Sequence, residues 1–348
     1  MDCKFYCFSY TEIIISKNMK TWEWKQMTTW KSFEYALLIQ FEEKLKDKTN
    51  VKIIQNSSLS IAKNCFNAVT PLEKSEYLIA ASFAVNFLID IEPRLSNDLG
   101  KSDILELEIV SDDKWKIGDV RDVLAIRALQ KWEIGVSAKN NHMAVKHSRL
   151  SPSIDFWKDW LGKKVSENYF DEINPIFDKL RDLKNTSNWM ALWRDLWDHH
   201  SSVYIPILNA FMKELTRLYE EDRGNVSRNL ISYLVWNKDF YKVIKKKNII
   251  EIHAYNINWA LNQNFNNIEP KYKTPLVALP TIINSIWFKE NSKTTIEIHF
   301  DNEWSLSLRI HNASSRIETS LKFDIQLINS PKSLYKNTLN IIHSKSWK

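Results

Sequence analysis

Residues 118–150 read GDVRDVLAIRALQKWEIGVSAKNNHMAVKHSRL, and this stretch decides the fold of the chain. Apolar residues alternate over 120–126 and again over 132–138, which predicts two strands joined by a tight turn. An alternating segment over 104–110 adds a third strand, so an antiparallel meander is expected. The basic segment that follows, residues 141–150, predicts a helix.

One face of the last of these strands is polar. The two-residue period of a strand places Glu133, Gly135, Ser137 and Lys139 on the same side. Gly135 has no side chain and leaves space between the polar residues. We therefore expect an ion or a phosphate to approach the sheet there.

Carboxylates and a lysine on neighbouring strands suit metal-assisted cleavage of a phosphodiester. Asp119 and Asp122 begin the strand that pairs with the one carrying Glu133 and Lys139. Carboxylate oxygens hold a divalent cation, which binds the phosphate and makes the attacking water more acidic. A lysine beside the ion stabilises the charge that builds on the phosphate. These residue types are those of a PD-(D/E)XK nuclease core.

Three runs carry a resemblance to a known family: GDVRDVLAIR from residue 118, WEIGVSAKNNHMAVKHSRLSPSIDFWKDW from residue 132, and SLRIHNASSRIETSLKFDI from residue 307. In these runs, and over about residues 70–331, the chain resembles the HaeIII-type family of type II restriction endonucleases. The resemblance implies an α/β (α+β) fold, in which a PD-(D/E)XK core has a mixed central sheet flanked by helices. A helical insertion and a C-terminal β-meander complete it.

The same resemblance implies a function. It implies Mg²⁺ as the cofactor and double-strand cleavage of DNA at the palindrome GGCC, leaving 5′-phosphate ends. A palindromic target implies a homodimer, in which each subunit cuts one strand. It also implies a cognate DNA methyltransferase as a functional partner that protects host sites. The alternatives are a catalytically inactive DNA-binding protein of the same fold and a structure-specific DNA repair nuclease.

Carried over by position, Asp122 or Asp119 opens the nuclease motif and Lys139 is its lysine. The chain departs from the motif at Ser137, where an acid is expected two residues before the lysine. The inactive alternative arises from this departure.

The second metal ligand beside Asp122 has three candidates: Glu133, Asp119, or an acid of the preceding helix such as Glu76. We favour Glu133, with Asp119 contributing, although six residues of strand separate Glu133 from Lys139 by about 20 Å. A turn near 128–129 places Asp122 opposite residue 135, and a shift by two places it opposite residue 137. The sequence leaves both registers open.

Two segments are candidates for DNA contact. The predicted helix over 141–150 offers backbone amides and positive charge to phosphates, with candidates Asn141, His142, Lys146, His147 and Arg149. The polar run HNASSRIETS follows a predicted C-terminal strand, and its arginines suit guanine while its other polar groups suit cytosine. The candidates there are Arg309, His311, Asn312, Ser314, Ser315 and Arg316.

Four segments are expected along the chain, possibly within one continuous domain. They are an N-terminal helical segment over 1–69, a catalytic core over 70–165, a mainly helical region over 166–290 and a C-terminal β-meander over 291–348. Thr70 and Glu73 form a capping box before a helix that Pro93 ends, and residues 30–48 predict an amphipathic helix.

Two further patterns have structural interpretations. Trp189, Trp193 and Trp197 recur every four residues, which predicts one helical face packed in a core, with base stacking as the functional alternative. The run KVIKKK over 242–247 predicts a solvated face, with phosphate contact as the functional alternative.

Composition narrows the class of protein. The 348 residues include 48 Lys and Arg against 42 Asp and Glu, a mildly basic balance compatible with double-stranded DNA. Three cysteines form no zinc or disulfide pattern, and the longest apolar run, 77–89, is too short for a membrane span. We expect a cytoplasmic protein without a membrane partner. The sequence has no P-loop and no methyl-donor motif, which excludes ATP-driven translocation and methylation.

Overall fold

A computed structural model describes residues 21–97, 100, 102–111, 119–140, 144–150, 156–187, 190–235, 237–312 and 314–341. The chain forms two compact units. The first takes its described residues from 1–142, 239–274 and 336–348, and the second takes them from 143–238 and 275–335. The four-segment division expected from the sequence stays a prediction.

The first unit is built on a mixed sheet. Among the described residues it has seven strands in the order β1-β2-β3-β4-β6-β7-β12. Their bounds are β1 Val51–Ile53, β2 Leu105–Ile109, β3 Val123–Arg127, β4 Trp132–Asn140, β6 Phe240–Lys245, β7 Ile249–Tyr255 and β12 Tyr335–Asn340. The pairs β1/β2 and β4/β6 are parallel, whereas β2/β3, β3/β4 and β6/β7 are antiparallel. The predicted mixed sheet and the β2-β3-β4 meander are therefore confirmed.

Helices of the first unit cover this sheet. They are α1 Thr21–Leu45, α2 Ser57–Ala68, α3 Pro71–Ile91 and α4 Pro93–Ser96. The predicted capping box is present, because the Thr70 hydroxyl accepts from the Glu73 amide while the Glu73 carboxylate accepts from the Thr70 amide. Helix α1 packs on α2, α3 and β4. The two helices predicted in this unit are confirmed.

The β3–β4 pairing fixes the register that the sequence left open. Val123 lies opposite Val136, and the amide of Asp122 donates to the carbonyl of Val136 at 2.8 Å. A short 3₁₀ turn, Ala128–Gln130, closes the hairpin, and Lys131 ends it with a φ of 48°. This register places Asp122 opposite Ser137, so the alternative with the two-residue shift is the one that forms.

The second unit combines helices with a separate sheet. Its described helices are α5 Phe156–Leu161, α6 Glu167–Thr186, α7 Ile205–Glu221 and α8 Arg223–Val235. Within the described residues five strands pair in the order β5-β11-β10-β9-β8. Their bounds are β5 Ala144–Leu150, β8 Ile283–Phe288, β9 Thr295–Phe300, β10 Ser305–Asn312 and β11 Leu321–Asn329.

The helix predicted over 141–150 is wrong where the structure describes it. Residues 144–150 form β5, which pairs antiparallel with β11, more than 170 residues later in the sequence. Asn141 and His142 lie outside the described residues. Backbone pairing with a distant strand outweighs the weak local preference of a short basic segment.

The tryptophan pattern also has a different outcome. Residues 190–197 form irregular structure with a 3₁₀ turn at Trp193–Asp195, so the predicted helical face is wrong there. Trp193 is buried and Trp197 is exposed, while Trp189 lies outside the described residues.

In the part of the chain that the structure describes, no helix is both long and apolar enough to cross a membrane.

A buried carboxyl group joins distant parts of the first unit. Oε1 of Glu92, at the end of α3, accepts hydrogen bonds from Tyr241 Oη at 2.6 Å and from the Asn262 amide at 2.7 Å. Burial raises the pKa of Glu92 to about 7, against the lowering effect of these two donors. The folded protein therefore binds a proton at Glu92 more tightly than the unfolded chain does.

We predict that Glu92→Gln removes a pH-dependent loss of stability. The wild type gains stability from this group below pH 4.5, and loses it as pH rises through about 7. Glutamine keeps the Oε1 acceptor without titrating. Urea unfolding should show the variant gaining about 3 kcal/mol relative to wild type between pH 4.5 and pH 8. The exposed Glu290→Gln is the control, and an equally flat difference for both variants would contradict the prediction.

Candidate active site

Asp122 and Lys139, predicted to act together, lie side by side in the first unit. Oδ2 of the buried Asp122 accepts from the Ala138 amide at 2.7 Å, from Lys139 Nζ at 3.1 Å and from Ser137 Oγ at 3.4 Å. All three of these hydrogen bonds end on the same oxygen. The β3–β4 register produces this arrangement, because it brings the start of β3 against residues 137–139.

Asp119 and Glu133 belong to a different group, built on the buried Arg121. Arg121 donates to Asp119 through Nε at 2.9 Å and Nη2 at 2.7 Å, and to Glu133 through Nη1 at 2.9 Å. Burial lowers the pKa of Arg121, but the two carboxylates outweigh it and raise the pKa above its usual value. Both acids therefore neutralise a guanidinium.

The space predicted above Gly135 is filled. A Cβ atom at Gly135 would lie 2.1 Å from Cδ and 2.6 Å from Cγ of Arg121. The arginine side chain crosses the strand where the glycine leaves room. The expectation that an ion or a phosphate approaches the sheet at Gly135 is therefore wrong.

The favoured ligand pair, Asp122 with Glu133, is separated along the sheet. Glu133 lies opposite Ile126, four residues along β4 from Ser137, which corresponds to about 13 Å. The third alternative, Glu76, forms an ion pair with Lys245 at 3.5 Å. Residue roles at this site stay predictions, but the geometry favours another acid.

Glu34 is the acid that sequence reasoning missed. It lies in α1, is buried, and pairs with Lys31 at 2.8 Å. Burial raises the pKa of Glu34 to about 7; Lys31 lowers it, and the negative charge of Asp122 raises it further. The charges of Asp122 and Lys139 both act on Glu34, and the helix that carries it packs on β3 and β4. The one sequence signal was an acid within an otherwise apolar helical stretch.

Lys242 is a second residue that the sequence interpretation misplaced. It lies in β6 directly beside Ser137 in the parallel β4–β6 pairing, and it is 4% exposed. Burial and the charge of Lys139 lower the pKa of Lys242 to about 7, while Asp122 opposes them. Lys245 is also buried. The solvated face predicted for the KVIKKK run is therefore wrong for these two lysines.

The donor set fits a hard divalent cation. Among the described residues, no three His, Cys, Asp or Glu side chains gather in one metal-binding group. Mg²⁺ does not need such a group, because it commonly takes one or two carboxylates and completes its shell with water and substrate phosphate. Asp122 and Glu34 can supply the carboxylates, and Ser137 can supply a hydroxyl.

The C-terminal DNA-contact candidates share the second unit with β5. In the paired strands β10, β11 and β5, Arg309 and His311 lie in two rows of facing residues. The rows are Arg309–Asp324–His147 and His311–Lys322–Arg149. The structure describes the backbone of residues 144–150, including Lys146, but not their side chains.

Asn312, at the end of β10, and residues 314–317, which come after it, are together called the recognition loop, after the DNA contact predicted there. Asn312 Nδ2 donates to the carbonyls of Ser314 and Arg316, and the Arg316 amide donates to Ser314 Oγ at 3.1 Å. The side chains of Asn312 and Ser314 thus hold the loop together. Ser315 and Arg316 are exposed and are better placed to meet a ligand.

Comparison with known proteins identifies the family of this chain. The model of the HaeIII restriction endonuclease family matches residues 30–331. The Type II restriction enzyme HaeIII of Haemophilus aegyptius is 37% identical over 306 residues, covering 87% of this chain and 94% of that enzyme. No solved structure matches the chain.

These matches define the class of protein first. The chain is a type II restriction endonuclease, a site-specific deoxyribonuclease that acts on DNA, and enzymes of this class generally use a divalent metal ion. Within that class, the chain belongs to the HaeIII restriction endonuclease family.

We predict that Gly135→Ala destabilises the protein by about 1–3 kcal/mol, because the new methyl group must displace Arg121 from its partners, the buried Asp119 and the half-buried Glu133. Gly224→Ala is the matched control, since nothing lies within 4 Å of its Cβ position and alanine favours the helix. Thermal unfolding measures both. Equal melting temperatures for the two variants would show that Arg121 is not held at Gly135.

Proposed function

We propose that this chain is a Mg²⁺-dependent endonuclease that cuts both strands of DNA at GGCC and leaves 5′-phosphate ends. The contact between Asp122 and Lys139 carries the proposal, because it joins the acid and the lysine that this chemistry needs. The specificity rests on the 37% identity to an enzyme named HaeIII.

Asp122 and Glu34 hold the metal ion in this proposal, with Ser137 as a neutral donor. In this proposal Glu34 takes the place of the acid that Ser137 replaces, because it is buried in a helix that packs on β3 and β4 and it feels the charges of Asp122 and Lys139. When bound, the ion supplies a Lewis acid that polarises the phosphate and makes water acidic enough to attack. The proposal excludes Asp119 and Glu133 from the metal, because Arg121 binds both.

Lys139 positions the reacting groups. Its ammonium group donates to Asp122 and can donate to a phosphate oxygen, so it stabilises the charge that builds there. Lys242 adds positive potential from the neighbouring strand. Water attacks phosphorus, the bond to the 3′ oxygen breaks, and the phosphate stays on the 5′ end.

Recognition belongs to the second unit in this proposal. Arg309 and Arg316 are the candidates for guanine, and the exposed Ser315 for other base or backbone contacts. A palindromic target requires a homodimer, so that two equivalent sites meet the two strands. The enzyme would act in the cytoplasm, beside a methyltransferase that protects the same sites in host DNA.

The first test is a plasmid digest with Mg²⁺ and with EDTA, followed by sequencing of the fragment ends. We expect discrete fragments that end within GGCC, in Mg²⁺ only. Discrete fragments that end at another sequence would contradict the proposed GGCC specificity but support the proposed nuclease activity. Binding to a GGCC duplex without any cleavage would favour the inactive DNA-binding alternative.

Substitutions test the assignment of the metal site. We predict that Asp122→Ala, Lys139→Ala and Glu34→Gln each slow cleavage by about 100-fold or more, while binding to a GGCC duplex stays measurable. Glu133→Gln is the matched control, because it keeps an acceptor for Arg121 and should change cleavage by less than about threefold. Single-turnover rates and gel shifts measure the two effects. A fully active Glu34→Gln beside an inactive Glu133→Gln would reverse the assignment.

A further inference from the structure

Trp197 stands out on the surface of the second unit. It is 92% exposed, more than any other large hydrophobic side chain in the described residues. Single exposed hydrophobic residues are common, so exposure alone carries no function. The segment around Trp197 has three further features that indicate a function: its pairing with the recognition loop, its backbone conformation and its charged side chains.

The segment that carries Trp197 is bound to the recognition loop. Trp193 donates its amide to the Ser315 carbonyl at 3.0 Å, and Ile317 donates to the Ala191 carbonyl at 3.0 Å. The backbone of this segment therefore forms a short antiparallel pair with the loop. Anything that touches the exposed Arg316 side of the loop lies next to this segment.

Trp193 anchors the segment of residues 191–197 by packing its ring inside the second unit. Its buried ring packs against Tyr204 with ring centroids 5.4 Å apart and against His199 at 5.7 Å. Tyr204 Oη accepts from the Asn312 amide at 3.1 Å, which ties this aromatic cluster to the recognition loop a second time. The segment that carries Trp197 is thus held in place by the buried Trp193 and by hydrogen bonds to the recognition loop.

The backbone after Trp197 adopts two uncommon conformations. Asp198 has a φ of 45°, in the left-handed region that non-glycine residues rarely occupy. A π-helical turn, His200–Tyr204, follows directly. Both features cost free energy and occur preferentially at functional sites. Here they lie where the chain presents an indole ring to solvent.

Positive charge accompanies the ring. Arg194 and Arg316 are exposed, and the charge of Lys293 acts on His200 in the same cluster. Arg194 also lies 3.6 Å from Asp195, a weak pair that leaves both side chains mostly exposed. Asp195 and Asp198 of the same segment are acidic and exposed, so the segment carries both signs of charge. An exposed aromatic ring on a segment paired with a loop that carries an exposed arginine can still bind nucleic acid, because the ring stacks on a base while the arginines meet phosphates.

We propose that Trp197 stacks on a base of the target DNA, next to the base pairs that the recognition loop reads. The inference rests on the proposed function, in which the second unit recognises DNA. A second copy of this chain is less suited than DNA to cover the exposed ring of Trp197. A stable dimer interface needs about 800 Å² from each partner with an apolar centre. The exposed residues nearest Trp197 in the sequence, Arg194, Asp195 and Asp198, are all charged.

The test compares two exposed tryptophans. Trp197→Ala removes the proposed stacking group, and Trp197→Phe keeps an aromatic face. Trp259→Ala is the matched control, because Trp259 is 59% exposed, has a positive φ of 62° and belongs to the first unit. Thermal unfolding should show all three variants folded, since each substitution lies on the surface.

Binding and base stacking are both measured, with Ca²⁺ replacing Mg²⁺ so that the DNA stays intact. We expect Trp197→Ala to raise the Kd for a GGCC duplex by about tenfold or more. Trp197→Phe should bring the Kd most of the way back to the wild-type value. Trp259→Ala should change the Kd by less than about twofold. With 2-aminopurine placed in or beside the site, wild type should change its fluorescence on binding. Trp197→Ala should not.

Three results would overturn the inference. An unchanged Kd and fluorescence response for Trp197→Ala, with normal wild-type binding, would remove Trp197 alone from DNA contact. If the wild type sediments as a dimer and Trp197→Ala sediments as a monomer, Trp197 belongs to the subunit interface instead. A wild type that neither binds nor cuts GGCC duplexes would overturn the proposed specificity, and this inference with it.

Discussion

The buried guanidinium of Arg121 is the constraint on which the arrangement of acids depends. A buried charge is stable only when it is paired and hydrogen-bonded, and Arg121 satisfies this through Asp119 and Glu133. Its side chain needs the space above Gly135, which explains a glycine in the middle of a central strand. Of the four residues that the sequence indicated, Asp119 and Glu133 therefore pair with Arg121, whereas Asp122 pairs with Lys139.

The charge balance around Ser137 follows from the same sheet. Ser137 is a neutral residue at a position where the nuclease motif has an acid, and the neighbouring strand places the buried Lys242 beside it. In the proposed site, Glu34 supplies the carboxyl group from a helix about 100 residues earlier in the chain. Burial and the charge of Asp122 raise the pKa of Glu34, which means that they destabilise its ionised form. A bound cation would stabilise that form.

The second unit shows how strand pairing can assemble a binding surface from distant segments. Strand β5, expected to be a helix, aligns residues 147 and 149 with Asp324 and Lys322 of β11, and through them with β10. The recognition loop follows β10 and is joined by hydrogen bonds to the segment of Trp197. Basic and aromatic residues from three parts of the chain thus lie in one unit.

The sequence by itself determined what short-range physics controls: the β2-β3-β4 meander, the capped start of α3 and the pairing of an acid with Lys139. Alternation and helix caps involve neighbours a few residues apart, so they can be read directly, and long motifs carry the family. Only the tertiary structure decided the hairpin register, the partners of Arg121, the burial of Lys242, the place of Glu34 and the strand formed by residues 144–150. The last three depend on which distant segments pack together, and a local pattern contains no information about a partner some ninety or more residues away. The register and the partners of Arg121 involve near neighbours, but they depend on turn geometry and side-chain packing that alternation does not specify.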